Sequence, residues 1–371
     1  MNSKVLLSLI ITVGILQSSL AQYEGYSSKN WKKQIEIEKE FLNQINLNSF
    51  KKHLKKLTER PHVVGSEGNQ EVIRYIGEVM QLAGMKVTNY PYDVYLPKNP
   101  GTSLIEIVTP NRDVLNQKED IIENDPYTKD PELWKGWNAF SGSGDVTAEV
   151  VYANYGRKED FETLKSLGID VSGKIVIARY GGNFRGYKAK FAEANGASGL
   201  IIYTDPQDSG FTKGLVYPNG PYYNSSTIQR GSLLTTDFTG DPLTPFEPAL
   251  PLDGKEKIER IDPKNAQLHT IPVSPIGYGE AEKILSQMNG DPVPQSWQGG
   301  LPFTYRLQGG SSLTVRLKVD QKIDFVRATN VIGMLKGTDA PDEWIILGCH
   351  LDSWGFGATD PSSGTAMLLS L

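Results

Sequence analysis

Two apolar triplets, Ile175-Val176-Ile177 and Leu200-Ile201-Ile202, bracket a stretch with the pattern of an amphipathic helix, GYKAKFAEANGA. Parallel strands need a crossover of a dozen or more residues, usually a helix, and this segment has that form. It commits the middle of the chain to a strand–helix–strand unit and therefore to an α/β fold. With 371 residues, at roughly 150 per domain, the chain has room for two to three domains.

The pattern changes along the chain. Residues 29–58 are charged and helical, with Phe50, Leu54 and Leu57 on one stripe. Lys51, Lys52, Lys55 and Lys56 read as the solvated face of that helix. In RPHVVGSEGNQEVIRYIGEVMQLAGMKV, Ser66 suits an N-cap, and Val72, Ile76, Val79, Met80 and Ala83 form the apolar stripe. Gly84 ends the helix, and Lys86-Val87-Thr88 opens a strand. From about Gly101 to Asp324 the chain turns to short strands and Pro/Gly loops, among which 205–270 has little periodicity. A loop region that long is usually functional or disordered. Residues 276–288 read as helical. The α/β pattern returns with two expected strands, Asn330-Val331-Ile332-Gly333 and Trp344-Ile345-Ile346-Leu347. A helix then starts at Ser362 or Ser363, with Met367, Leu368 and Leu371 on its apolar face. It runs for about two turns without a C-cap, so the chain is expected to be a fragment.

Composition excludes several functions. Thirty-eight basic against 43 acidic residues leave a net charge of −5, which argues against a nucleic-acid partner. A single Cys, Cys349, excludes an intrachain disulfide and a cysteine-based structural zinc site. Residues 1–21 carry Lys4, an apolar run from Val5 to Leu16 and a Ser19-Leu20-Ala21 cleavage site, the pattern of a signal peptide. The mature chain should begin near Gln22 and be secreted or periplasmic, with no membrane association after signal removal. The single thiol fits a bacterial envelope. Asn224-Ser225-Ser226 is a glycosylation sequon of a kind that also arises by chance.

The chemistry concentrates in Gly348-Cys349-His350-Leu351-Asp352, followed by Asp360-Pro361-Ser362-Ser363-Gly364. The expected strand would deliver His350 to its carboxyl end, where α/β sheets bind ligands. Zinc accepts imidazole nitrogen and carboxylate oxygen, and a ligating His usually gives its other N–H to a carboxylate, which fixes its tautomer. Residues i and i+2 of a strand share a face, so Asp352 could orient His350. Asp360, in a loop before a helix, could supply a second carboxylate. A surface His with a capping Asp is the plainer alternative. The strand, the Gly-rich loop and the helix start favour a metal.

These residues resemble a family. RPHVVGSEGN, KIVIARYGGNFRGYKAKFAEANGASGLIIY, QRGS, GDPLTP, IPVSPIGYGEAEKIL, NVIGMLKG and LGCHLDSWGFGATDPSSG run in the order found in co-catalytic zinc exopeptidases of the aminopeptidase and glutamate carboxypeptidase group. Within that group they are most similar to the glutamate carboxypeptidase II branch, which also holds the catalytically dead transferrin receptors. The resemblance implies a zinc-exopeptidase α/β domain interrupted by a protease-associated apical α/β domain. Residues 22–100 and 325–371 would be peptidase domain, the latter the start of its zinc-binding core, and 101–324 the insertion. It implies two zinc ions, with His350 binding one, Asp360 bridging both, and Asp352 supporting His350 in the catalytic site. The general base and other ligands of the family pattern would lie beyond Leu371.

The resemblance also implies a peptide substrate cut at its C-terminal residue, with glutamate one candidate. Arg185 in FRGYK matches an apical Arg that grips a terminal carboxylate, a contact for which guanidinium is suited. An Arg that only decorates the helix is the alternative. Ser232 stands where the branch has Asn. Asp241-Pro242-Leu243-Thr244 matches a calcium-binding loop, with Thr244 and the Glu247 carbonyl as ligands, though a plain turn explains it as well. A homodimer is expected only of a protein with the family's C-terminal helical domain. His62 and His269 are read as structural. The other reading of the whole chain is a non-catalytic protein of the receptor-like branch that binds a partner through its protease-associated domain.

Overall fold

The computed structural model describes residues 25–27 and 30–371. The signal peptide expected over residues 1–21 lies outside the described residues. The charged N-terminal stretch forms two helices, α1 (Trp31–Gln44) and α2 (Leu47–Leu57). The break falls at Asn46, whose side chain accepts from the Asn48 amide at 2.9 Å and so starts the second helix. Leu57 is buried, with Phe50 and Leu54 packed on the same cluster. The next helix, α3 (Glu67–Leu82), is capped by the Ser66 hydroxyl, which accepts from the Asn69 amide at 3.2 Å. Gly84, at φ +82°, turns the chain out of it. Val72, Ile73 and Ile76 are its buried large apolar residues, whereas Ala83, expected on the same stripe, is exposed.

The chain continues through β1 (Lys86–Pro97), β2 (Thr102–Thr109), β3 (Asp113–Val114), β4 (Asn138–Ala139), β5 (Gly144–Tyr152), α4 (Lys158–Ser166), β6 (Ile175–Arg179), α5 (Arg185–Ala194) and β7 (Gly199–Tyr203). There follow α6 (Pro206–Ser209), β8 (Gly231–Ser232), β9 (Gly240–Asp241), β10 (Thr244–Pro245), β11 (Val273–Ile276), α7 (Tyr278–Leu285), β12 (Thr314–Asp320), β13 (Ile323–Met334) and α8 (Ser362–Leu368).

Seven strands form one sheet in the order β11-β7-β6-β5-β12-β2-β3. β5, β6, β7 and β11 run parallel, and β12 lies antiparallel between β5 and β2. The two apolar triplets are its neighbouring interior strands β6 and β7, Val176 beside Leu200 and Ile177 beside Ile201, all out of solvent. Ala189 and Ala192 of α5 pack on that sheet within the same core, small enough for the crossover helix to approach closely. Every strand of this sheet comes from residues 102–320.

The flanking segments pair with each other. β1 and β13 form an antiparallel ribbon from Lys86 opposite Met334 to Pro97 opposite Ile323. α3 lies across it: a Cβ added at Gly333 would meet Met80 Sδ and Met85 Sδ at 2.8 Å each. The long stretch 205–270 is tied to the same ribbon. Asp241 accepts the Tyr95 amide at 2.5 Å, and Asp93 accepts the Leu252 amide at 2.7 Å and the Arg327 guanidinium at 2.5 Å.

Two expectations fail beyond the ribbon. Trp344-Ile345-Ile346-Leu347 is not a strand, and its residues are 67–92% exposed. An apolar run becomes a strand by pairing its backbone, and among the described residues nothing pairs with this one. Met367 of α8 and Leu371 beyond its end face solvent, while Thr365 and Ala366 are buried and Leu369, just past the helix, packs on the cluster with Leu57 and Val72.

Candidate metal centre

His350 reaches its place by coil rather than at the end of a strand. Its backbone carbonyl accepts the Thr365 hydroxyl at 3.0 Å, which ties it to α8. Asp360 lies two residues before Ser362, the first residue of that helix. One short loop-to-helix junction thus brings His350 and Asp360 together.

His350 Nδ1 stands 3.0 Å from the Asp352 backbone carbonyl and 3.4 Å from its carboxylate Oδ1. His350 Nε2 stands 2.9 Å from Asp360 Oδ1. Both ring nitrogens therefore face oxygens, and a neutral imidazole donates at only one. As a hydrogen bond the Asp360 contact needs Nε2–H; with Nδ1–H given instead to the Asp352 carbonyl, the Nε2 lone pair and the Asp360 carboxylate are two acceptors that a cation between them would reconcile. That is the donor chemistry of a zinc ligand pair with an anchored imidazole. His350 and Asp360 side chains are 57% and 86% exposed, so the pair is open to solvent. Among the described residues, no group of three or more His, Cys, Asp or Glu side chains stands so as to hold a metal ion. The pair fits zinc in kind and falls short of a catalytic site in number.

The loop between the two ligands is held from both sides. Trp354 meets Trp137 edge-on at 5.1 Å, and Phe356 meets Tyr127 at 5.4 Å. On the opposite flank, His62 pairs by backbone with Ser353 and Gly355. These partners were not read as part of the site from the sequence. The motif RPHVVGS marked the segment around His62, but nothing in it marks a contact nearly 300 residues away.

Arg185, also expected at a site, lies far along the chain on the first turn of α5. Its guanidinium donates to the Ser232 carbonyl at 3.3 Å and to the Tyr180 hydroxyl, and lies over the rings of Tyr180 and Phe184 at 5.3 Å each. A Cβ at Gly231 would come within 2.3 Å of it, so the glycine there makes room for the guanidinium. Among the described residues, no hydrogen bond or ion pair joins Arg185 to His350. Thr244 and Glu247 do meet: the Thr244 hydroxyl donates to the Glu247 carbonyl at 3.2 Å. His269 is a structural residue, between Glu193 at 3.2 Å and the Leu233 carbonyl at 2.9 Å.

Residues 146–236 match the PA domain, and residues 330–371 match Peptidase family M28. The chain thus contains a PA domain and part of a peptidase family M28 domain. It is 36% identical over 343 residues to the glutamate carboxypeptidase 2 homolog of Caenorhabditis briggsae, across 88% of this chain and 44% of that protein. It is 33% identical over 350 residues to aminopeptidase NAALADL1 of Rattus norvegicus, across 89% of this chain and 46% of that one. Among solved structures, the peptidase M28 precursor of Shewanella amazonensis SB2B is 16% identical at a TM-score of 0.48, covering 86% of this chain and 58% of that one. The chain thus spans about half the length of the curated relatives it matches. Its M28 match begins inside β13 and takes in His350, Asp352 and Asp360.

Proposed function

We propose that this chain carries the first metal ligands and the apical domain of an exported, zinc-dependent exopeptidase of carboxypeptidase type. The observation that carries the reading is the His350 imidazole, anchored at Nδ1 and turned at Nε2 toward Asp360, inside the segment that matches the M28 family. His350 and Asp360 would hold zinc, and Asp352 would keep the imidazole in the tautomer that binds it. When bound, such zinc lowers the pKa of a water and polarises a carbonyl. Two ions sharing Asp360 are the arrangement we propose for the whole protein, and a homodimer is proposed for it as well.

The proposed division sets 22–100 and 325–371 as parts of one unit and 101–324 as an insertion. It is supported by a sheet whose strands all fall within 102–320 and by a ribbon that joins the two flanks. Arg185 is proposed to receive the terminal carboxylate of a peptide. It uses few of its five N–H donors on protein oxygens, and its Nε is buried with none. For calcium, Thr244 and the Glu247 carbonyl offer two neutral oxygens toward the roughly six to eight such an ion takes. Export rests on the signal pattern of residues 1–21 alone; N-terminal sequencing from the native host should read from about Gln22, and an intact Met1 on released protein would overturn it. Among the described residues no helix is long and apolar enough to cross a membrane.

Isothermal titration tests the metal assignment. The chain should bind zinc weakly, lose that binding in His350→Ala and Asp360→Ala, and hydrolyse no peptide, since a catalytic zinc normally has about three protein ligands. Tight binding of two ions, undiminished binding in both variants, or chelator-sensitive turnover would show that other residues form the site.

A further inference from the structure

His62 is fully out of solvent, although imidazoles are usually at least partly exposed. Its ring and backbone reach both limbs of the loop that carries the candidate ligands. On the limb after His350, the His62 amide donates to the Gly355 carbonyl at 3.1 Å, and the Ser353 amide donates to the His62 carbonyl at 3.2 Å. On the limb after Asp360, His62 Nε2 lies 3.5 Å from the Ser362 hydroxyl. The remaining nitrogen, Nδ1, stands 3.0 Å from the Arg60 carbonyl. With Nδ1–H donated there, Nε2 is left as the acceptor for Ser362 O–H. Burial lowers the ring's pKa, which agrees with a neutral imidazole in this role.

The His62 segment is itself firmly held. Arg60 pairs with Glu67, Glu71 and Glu132. A Cβ at Gly68 would meet the Pro61 carbonyl at 2.2 Å, so α3 begins in direct contact with the turn. The loop therefore packs on a buried residue from a distant part of the chain.

We infer that His62 is a positioning residue for the metal pair: by gripping the loop at Ser353, Gly355 and Ser362 it sets the separation of His350 and Asp360. The inference rests on the zinc reading above and extends it to a residue that touches neither metal nor substrate. Partners behind metal ligands typically change metal affinity about ten- to a hundredfold when removed. The backbone bonds survive substitution, so the ring carries the part that mutation can test.

The experiment is a zinc titration of the full chain followed at the His350 imidazole by nitrogen-edited NMR, with thermal unfolding recorded for each variant. His62→Ala should raise the zinc midpoint at His350 about ten- to a hundredfold. Ser362→Ala should shift it in the same direction by less. His62→Gln, whose carbonyl can accept from Ser362, should recover part of the loss, which a purely space-filling role would not predict. If His62→Ala does not fold, Ser362→Ala and His62→Gln decide the matter. Unchanged midpoints in the folded variants, with binding still abolished by His350→Ala, would overturn the role of His62 and leave the metal reading standing. A His350 signal that zinc does not perturb in the unsubstituted chain would overturn both.

Discussion

Lys188 has no exposed surface, and its ammonium meets the Tyr155 carbonyl at 2.5 Å, the Gly181 carbonyl at 2.6 Å and Asn183 Oδ1 at 2.7 Å. Those acceptors hold the loop that leads to Arg185. Lys188→Met keeps the stem and removes three donors, leaving buried carbonyls unpaired; it should cost about 2–4 kcal/mol in urea unfolding. Burial lowers the Lys188 pKa to about 7. The unfolded chain, with an ordinary lysine near 10.4, then holds more protons between these values. Stability should rise with pH across that window and be lower below about pH 7; in Lys188→Met this slope should flatten. At this scale the sequence was readable where a residue's chemistry is rare. His350, Asp352 and Asp360 stand out as candidates through their type, their context and the family resemblance. His62 and Lys188 do not, because their meaning lies in acceptors that only the fold supplies.

Among the elements, those whose partners lie close in the chain were the most legible. β6, α5 and β7 could be read from two triplets and a helical period because each buries its apolar face against the next. The 344–347 run is as continuously apolar as those triplets, and it fails as a strand because burial is a property of the neighbour as well as of the run. The ribbon of β1 and β13 could be read only as two separate strands, since nothing in either names the other across more than 200 residues. Its lock is Asp93, which is 5% exposed and bound by Arg327 and the Leu252 amide. The Arg327 guanidinium, chiefly, holds that carboxyl below its ordinary value. A depressed carboxylate contributes stability above its unfolded pKa of about 3.9 and loses it as pH falls through the folded value. Asp93→Ala should therefore cost about 1–3 kcal/mol near neutrality, and the gap from the unsubstituted chain should narrow in acid. An equal gap at both pH values would remove Asp93 from the acid response.

For the molecule as a whole, its surface is as telling as its core. Trp344, Ile345, Ile346 and Leu347 stand 76%, 92%, 79% and 67% exposed in one run. Contiguous apolar surface of this kind marks an interaction site or an aggregation liability. The purified chain should bind a hydrophobic dye and self-associate with concentration in light scattering. Ile345→Lys with Ile346→Glu should suppress both while changing stability by less than about 1 kcal/mol, as exposed substitutions do; unchanged association would place the sticky surface elsewhere. The two tryptophans that pin the ligand loop have a different use. Trp354 and Trp137 sit 5.1 Å apart at 85°, near enough for their indole transitions to couple. The protein thus carries its own optical gauge: any movement of that loop, with zinc or without it, would be written into an exciton couplet in circular dichroism that Trp137→Phe should erase.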